Sequence, residues 1–114
     1  MRYKTLFDKD FDLGMRLDQL PILLVDNSYG NDVCPSFYFK IHDEYYLLWI
    51  DYEDKEQRED PNVFRYTVEK AINESDDKHP EIYSDSRMDD LLQTDDKNEL
   101  ANFIVGLTEK IKNK

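Results

Sequence analysis

Three groups of residues in this sequence have types suited to chemistry: one cysteine with two histidines, an alternating trio of aspartates, and a dense run of carboxylates. Cys34 with His42 or His79 would make a thiol–imidazole pair, but such a nucleophile needs a positioned base and a third group to orient that base. Cys34 stands before Pro35 at the border of a strand-like segment, where a lone cysteine reads as a small buried hydrophobe. His42 falls at an expected hairpin tip and His79 in a polar connection, so both read as exposed surface residues. Asp8, Asp10 and Asp12 alternate in DKDFDLG like the opening of a calcium loop. Leu13 stands where that loop needs glycine for its sharp turn, and Gln19 where a bidentate glutamate would close it. One cysteine and two histidines cannot complete a tetrahedral zinc set. Gly14, Gly30 and Gly106 are too scattered to cradle a phosphate. Glycoside chemistry would need two of the 26 acidic residues to meet in a cleft, and nothing singles out a pair. The expectation is a protein that is not an enzyme, with no catalytic residue, metal or cofactor.

The carboxylate run is more informative. In YYLLWIDYEDKEQREDP, Tyr45 to Pro61, an apolar and aromatic half gives way to a strongly acidic one. Asp51, Glu53, Asp54, Glu56, Glu59 and Asp60 follow one another with relief only from Lys55 and Arg58, and Tyr52 stands among them as an aromatic anchor. Further clusters lie at Glu74, Asp76 and Asp77, and at Asp89 and Asp90 with Asp95 and Asp96 behind. Loops after successive strands of a meander lie at opposite ends, so the first two clusters need not be neighbours. The formal charge of −11 has the wrong sign for nucleic acid or for an anionic membrane. It suits either solubility or the steering of a basic protein partner.

These residues sit on a chain of 114 residues, the length of one domain spanning 1–114. The 13% aromatic content argues for a packed core despite 36% charged residues. The single cysteine excludes an intrachain disulfide. MRYKTLFDKDFDLG lacks the apolar stretch of a signal peptide and no segment is apolar enough to span a membrane, so a cytoplasmic location is expected.

The spacing predicts α+β architecture: an antiparallel meander of about four strands with a C-terminal amphipathic helix packed on one face. Phe11, Met15, Leu17 and Leu20 could line a short helix, weakened by Gly14 and ended by Pro21, followed by a short buried strand at Ile22 to Val25 and the turn-rich DNSYGND. Phe37, Phe39 and Ile41 share one strand face, with Tyr38, Lys40 and His42 on the other. In the returning strand Tyr46, Leu48, Ile50 and Tyr52 oppose Tyr45, Leu47, Trp49 and Asp51, and both faces are largely apolar. Val63 to Ala71 reads as a strand with Phe64, Tyr66 and Val68 inward and Arg65, Thr67 and Glu69 outward, and Glu81 to Tyr83 as a short edge. Ser86, Met88, Asp89, Leu91 and Leu92 suggest a helical turn. Thr94 then reads as the N-cap of a helix whose stripe is Leu100, Phe103, Ile104, Leu107 and Ile111, with Lys110, Lys112 and Lys114 at its end.

CPSFYFKIHDEYYLLWIDYEDKEQRED, Cys34 to Asp60, resembles the core of small acidic immunity proteins from bacterial contact-dependent growth inhibition systems, which pair aromatic hairpins with an acidic loop. The resemblance covers about a quarter of the chain. It implies a cytoplasmic protein that binds one cognate toxin domain, often a basic nuclease, and occludes its active site. Asp51, Tyr52, Glu53, Asp54, Glu56, Glu59 and Asp60 are then the partner-binding residues, with no nucleic acid, membrane or small-molecule ligand. The alternatives are an acidic nucleic-acid mimic that inhibits DNA-binding proteins, a small carboxylate-based enzyme, and a scaffold or regulatory subunit.

Overall fold

The computed structural model describes residues 12–16, 20–28, 34–76 and 78–112, with side chains described as far as residue 109. Its strands are β1 (Val25–Asp26), β2 (Ser36–Ile41), β3 (Glu44–Ile50), β4 (Tyr66–Asn73), β5 (Ile82–Ser84) and β6 (Leu92–Thr94), followed by helix α1 (Lys97–Lys112). Every pairing is antiparallel, and the order is β1-β2-β3-β4-β5. β5 and β6 share β4: β6 pairs Tyr66 to Val68 and β5 pairs Ala71 to Asn73. The α+β class is as the sequence implies, but among the described residues the sheet has six strands rather than about four.

The period-two pattern places side chains as expected on both faces of the β2–β3 hairpin. Phe37, Phe39, Ile41, Tyr46, Leu48 and Ile50 enter one core with Tyr66 and Val68 of β4. Phe39 and Tyr46 are register partners whose rings stack at 5.1 Å, a cross-strand contact of the kind that stabilises a sheet. Leu100 and Ile104 of α1 are fully buried in the same core, and each such side chain contributes about 1.5–3 kcal/mol. The helix therefore covers this face. On the other face Leu47, Ala71 and Ile82 form a smaller cluster with Tyr38, Tyr45 and Trp49 against it. Asn27, just after β1, donates from Nδ2 to the Ile82 carbonyl of β5 at 3.2 Å, so the sheet curls until its two ends meet.

Four local expectations change. Residues 12–16 form no helix; Gly14 takes φ 79, a left-handed conformation that glycine tolerates. Met15 and Leu20 nonetheless pack on the core, while Phe11, Leu17 and most of DNSYGND lie outside the described residues. The strand expected at Ile22 to Val25 is Val25–Asp26, and Leu23 is exposed. β4 starts at Tyr66, leaving Phe64 exposed and Arg65 buried, because the Arg65 guanidinium finds backbone carbonyl acceptors at Asp12 and Asp51. The helical turn expected before Thr94 is replaced by β6, so Thr94 is a buried strand residue opposite Tyr66. Asp96 caps α1 instead, accepting the Asn98 N–H at 2.8 Å.

Candidate functional site

The acidic run leaves β3 as a loop folded around one arginine. Arg58 has a side chain only 2% exposed. It donates through Nε to the Tyr52 carbonyl at 2.6 Å, through Nη1 to the Val63 carbonyl at 2.7 Å, and through Nη2 to the Glu53 carbonyl at 3.2 Å. The planar fork of a guanidinium suits this task, since it reaches several acceptors in fixed geometry. Both ends of the loop are thereby fastened to its middle. The loop's carboxylates supply the rest of its order: Asp54 accepts the Glu56 N–H and caps the 3-10 turn Lys55–Gln57, and Asp60 accepts the Asn62 N–H.

The carboxylates of the run then separate into three settings. Glu56, Glu59 and Asp60 are exposed along the loop, as is Asp54 despite its capping bond. Glu53 borders a hollow of about 340 Å³ at the start of α1, together with Asp12, Asp95, Asp96 and Arg65. Asp51 is 7% exposed. Its Oδ1 accepts the Tyr52 N–H, and burial pushes its carboxyl above the usual range against the pull of that bond and of Arg58. Asp51 therefore stands under the loop rather than on it. Tyr52 is half-buried against the main core, more a foot of the loop than an exposed anchor.

The apolar surface expected of an anchor lies elsewhere. Val63 and Phe64, which end the loop, are 40% and 44% exposed. They form one lip of a cleft of about 320 Å³ that also meets Cys34, Trp49, Glu69 and Asp90. Glu69 accepts from the Ser84 hydroxyl at 3.2 Å. Its carboxyl is held above the usual range by burial first and by the neighbouring Asp90 charge second. The Trp49 indole N–H is buried beside Glu69 and draws its pKa the other way, yet stays outside hydrogen-bond geometry. The antiparallel fold thus brings Asp51 of the first acidic cluster and Asp90 of the third to the same cleft. Glu74 and Asp76 follow the far end of β4, where Asp76 accepts the backbone N–H groups of Lys78 and His79; Asp77 lies outside the described residues.

Among the described residues, neither a thiol–imidazole pair nor a carboxylate pair of Asp51 with Glu69 is assembled. Cys34 is buried in the cleft wall, whereas His42 occupies the exposed turn after β2 at φ 54 and His79 is exposed in the loop before β5. Asp51 and Glu69 share the cleft and both have raised pKa values, but neither is among the charges that shift the other. Glu69 is the register partner of Leu47, four residues before Asp51 on β3, a separation of roughly 13 Å at strand rise. Among the described residues no group of three His, Cys, Asp or Glu is placed to hold a metal ion, and no helix is long and apolar enough to cross a membrane. Asp8 and Asp10 lie outside the described residues.

Phe64 and Glu69 were missed as cleft residues because they read as one inward and one outward position of a regular strand. The late start of β4 at Tyr66 is what frees Phe64. Comparison with protein families, with curated proteins and with solved structures finds no match to the chain.

Proposed function

We propose that this chain is an immunity protein, which binds a cognate basic toxin domain and neutralises it by covering its active site. The observation that supports this reading is the Arg58-clamped loop, which carries Glu56, Glu59 and Asp60 into solvent beside the exposed side chains of Val63 and Phe64. Charge on a mobile loop is a weak recognition element, because the loop must be ordered on binding. Charge on a fastened loop costs less to bind and holds its orientation. The carboxylates steer the basic partner and set its register, while the apolar lip contributes affinity as it is desolvated. Such a partner resembles a nuclease in needing cationic groups for its own substrate, and the acidic ridge stands in for phosphates.

The test is co-expression of the tagged chain with the gene immediately upstream in its own genome, followed by elution across a salt gradient. A one-to-one complex with a basic, otherwise toxic polypeptide is expected, with cell growth restored by the chain. Toxicity that persists in the presence of the folded chain, with no complex at low salt, overturns the reading.

A further inference from the structure

The cleft beside the acidic loop combines an aromatic side with carboxylates. One wall is aromatic, from Trp49 on β3 and Phe64 ahead of β4, and Val63 adds apolar surface at the mouth. Two carboxylates line the same cleft, Glu69 of β4, beside the Trp49 indole, and Asp90 from the approach to β6. Burial first and the Asp90 charge second hold the Glu69 carboxyl above its ordinary range. Glu69 is oriented by the Ser84 hydroxyl on one oxygen. Asp90 is oriented by the Gln93 amide on Oδ2. Both carboxylates are therefore placed before any ligand arrives. The cationic group that borders the cleft, Arg65, has its guanidinium turned to the carbonyls of Asp12 and Asp51.

We infer that this cleft is a receptor for a single arginine side chain of a protein partner, its guanidinium seated between Glu69 and Asp90 and stacked on the Trp49 and Phe64 side. The chemistry selects the occupant. A neutral apolar group would leave two crowded carboxylates uncompensated, and an anion would add to their repulsion. A lysine ammonium would meet the charge but would give up flat contact with the aromatic wall. A guanidinium is planar, weakly hydrated and forked, so it can stack on a ring while donating to carboxylate oxygens. The volume of about 320 Å³ lies near the lower end of small-ligand sites, which run from about 300 Å³ upward. That is room for one long side chain, with the backbone that carries it left at the open mouth. The inference deepens the immunity reading and rests on it for the partner's identity, since the basic toxin would supply the arginine.

The single tryptophan makes the cleft directly observable, because Trp49 is the only one in the chain. The experiment titrates the purified full chain with acetyl-Gly-Arg-Gly-amide, following Trp49 emission and its indole N–H resonance. The matched citrulline peptide, which keeps the shape and loses the charge, serves as the comparison. A saturable change with the arginine peptide is expected, about tenfold weaker or more with citrulline, as for loss of a charge-assisted hydrogen bond. The response should also drop in Glu69→Gln and in Phe64→Ala, two substitutions at a partly buried and an exposed position. Absence of a saturable response, or an equal response to citrulline, overturns the inference. So does full response in Glu69→Gln. This outcome is separable from that of the co-expression test. Arginine binding without a toxin partner would retain the cleft and discard the immunity role. A toxin complex unaffected by Glu69→Gln, with no peptide response, would do the reverse.

Discussion

Arg58 Nη1 lies 3.3 Å from Asp95 Oδ1, and the same carboxylate oxygen accepts the Arg65 backbone N–H at 2.8 Å. One carboxylate thus joins the acidic loop to β4 and to the approach of α1. The Arg65 bond is the main cause of the lowered Asp95 pKa, with Arg58 adding to it.

Arg58→Ala should destabilise the chain by about 2–4 kcal/mol, because it strips the donors from three loop carbonyls and leaves Asp95 short of a cation. Arg58→Lys should recover only part of this, since one ammonium cannot span the same acceptors. Denaturant unfolding measures the loss, and amide exchange across residues 52–63 should accelerate before the sheet does. A loss of below about 0.5 kcal/mol, that of an ordinary surface change, would mean the loop holds itself.

Reversing Glu53, Glu56 and Glu59 together to lysine should leave the unfolding midpoint nearly unchanged, since all three are exposed. Association with the proposed toxin partner should slow by tenfold or more at low salt, and the difference should shrink as added salt takes the Debye length below about 8 Å. Asp54 is better left alone, because its capping bond to Glu56 would confuse a binding effect with a folding one. Stopped-flow rates across a salt series decide the matter, and equal rates would put the contact elsewhere.

Glu69 and Asp95 should give opposite pH signatures. The folded pKa of Glu69 is raised above its ordinary 4.5, so its ionised form opposes folding at neutral pH and the cost fades as pH falls through the raised value. Glu69→Gln should therefore be the more stable protein at neutral pH, with the advantage gone below 4.5. Asp95 is lowered from 3.8, so its contribution is present above that pH and is lost as pH falls through the lowered value. Asp95→Asn should thus be destabilising at neutral pH and nearly neutral in strong acid. Thermal melts across pH for both variants test the pair of signs.

Gly14→Ala should cost about 2–4 kcal/mol. A Cβ there would stand 2.2 Å from Tyr66 Oη and 2.7 Å from Arg65 Nη1, on a backbone already at φ 79. Tyr66 is fully buried and donates to the Leu13 carbonyl at 3.0 Å, so it has no room to yield. A melt within experimental error of the parent would show that the segment 12–16 can lift away.

The sequence makes legible whatever is periodic and local. The β2–β3 hairpin is written in alternation over more than ten residues, and α1 in a stripe that places Leu100 and Ile104 one turn apart. β6 escapes because Leu92–Thr94 is too short to alternate, and it is recruited by the residues Tyr66 to Val68 far behind it in the chain. Arg58 and Arg65 escape for another reason. Their acceptors are mostly backbone carbonyls, and carbonyls have no letter in a sequence. A lone arginine inside a carboxylate run is a signal that can be sought: it has many attractive neighbours, and burial at the centre of its own loop is one way to satisfy it.

The curl of the sheet has a consequence for behaviour in concentrated solution. A strand at the end of an open sheet offers unpaired backbone groups to any passing chain, and long flat ends seed aggregates. Here β1 is two residues long and β5 three, and the Asn27 amide ties the region after β1 to the Ile82 carbonyl of β5. The ends are too brief to template another strand, and the Ile82 carbonyl of β5 is already taken by the Asn27 amide. The chain should therefore stay dispersed at high concentration without stacking into fibres, as the proposed stoichiometric role would require.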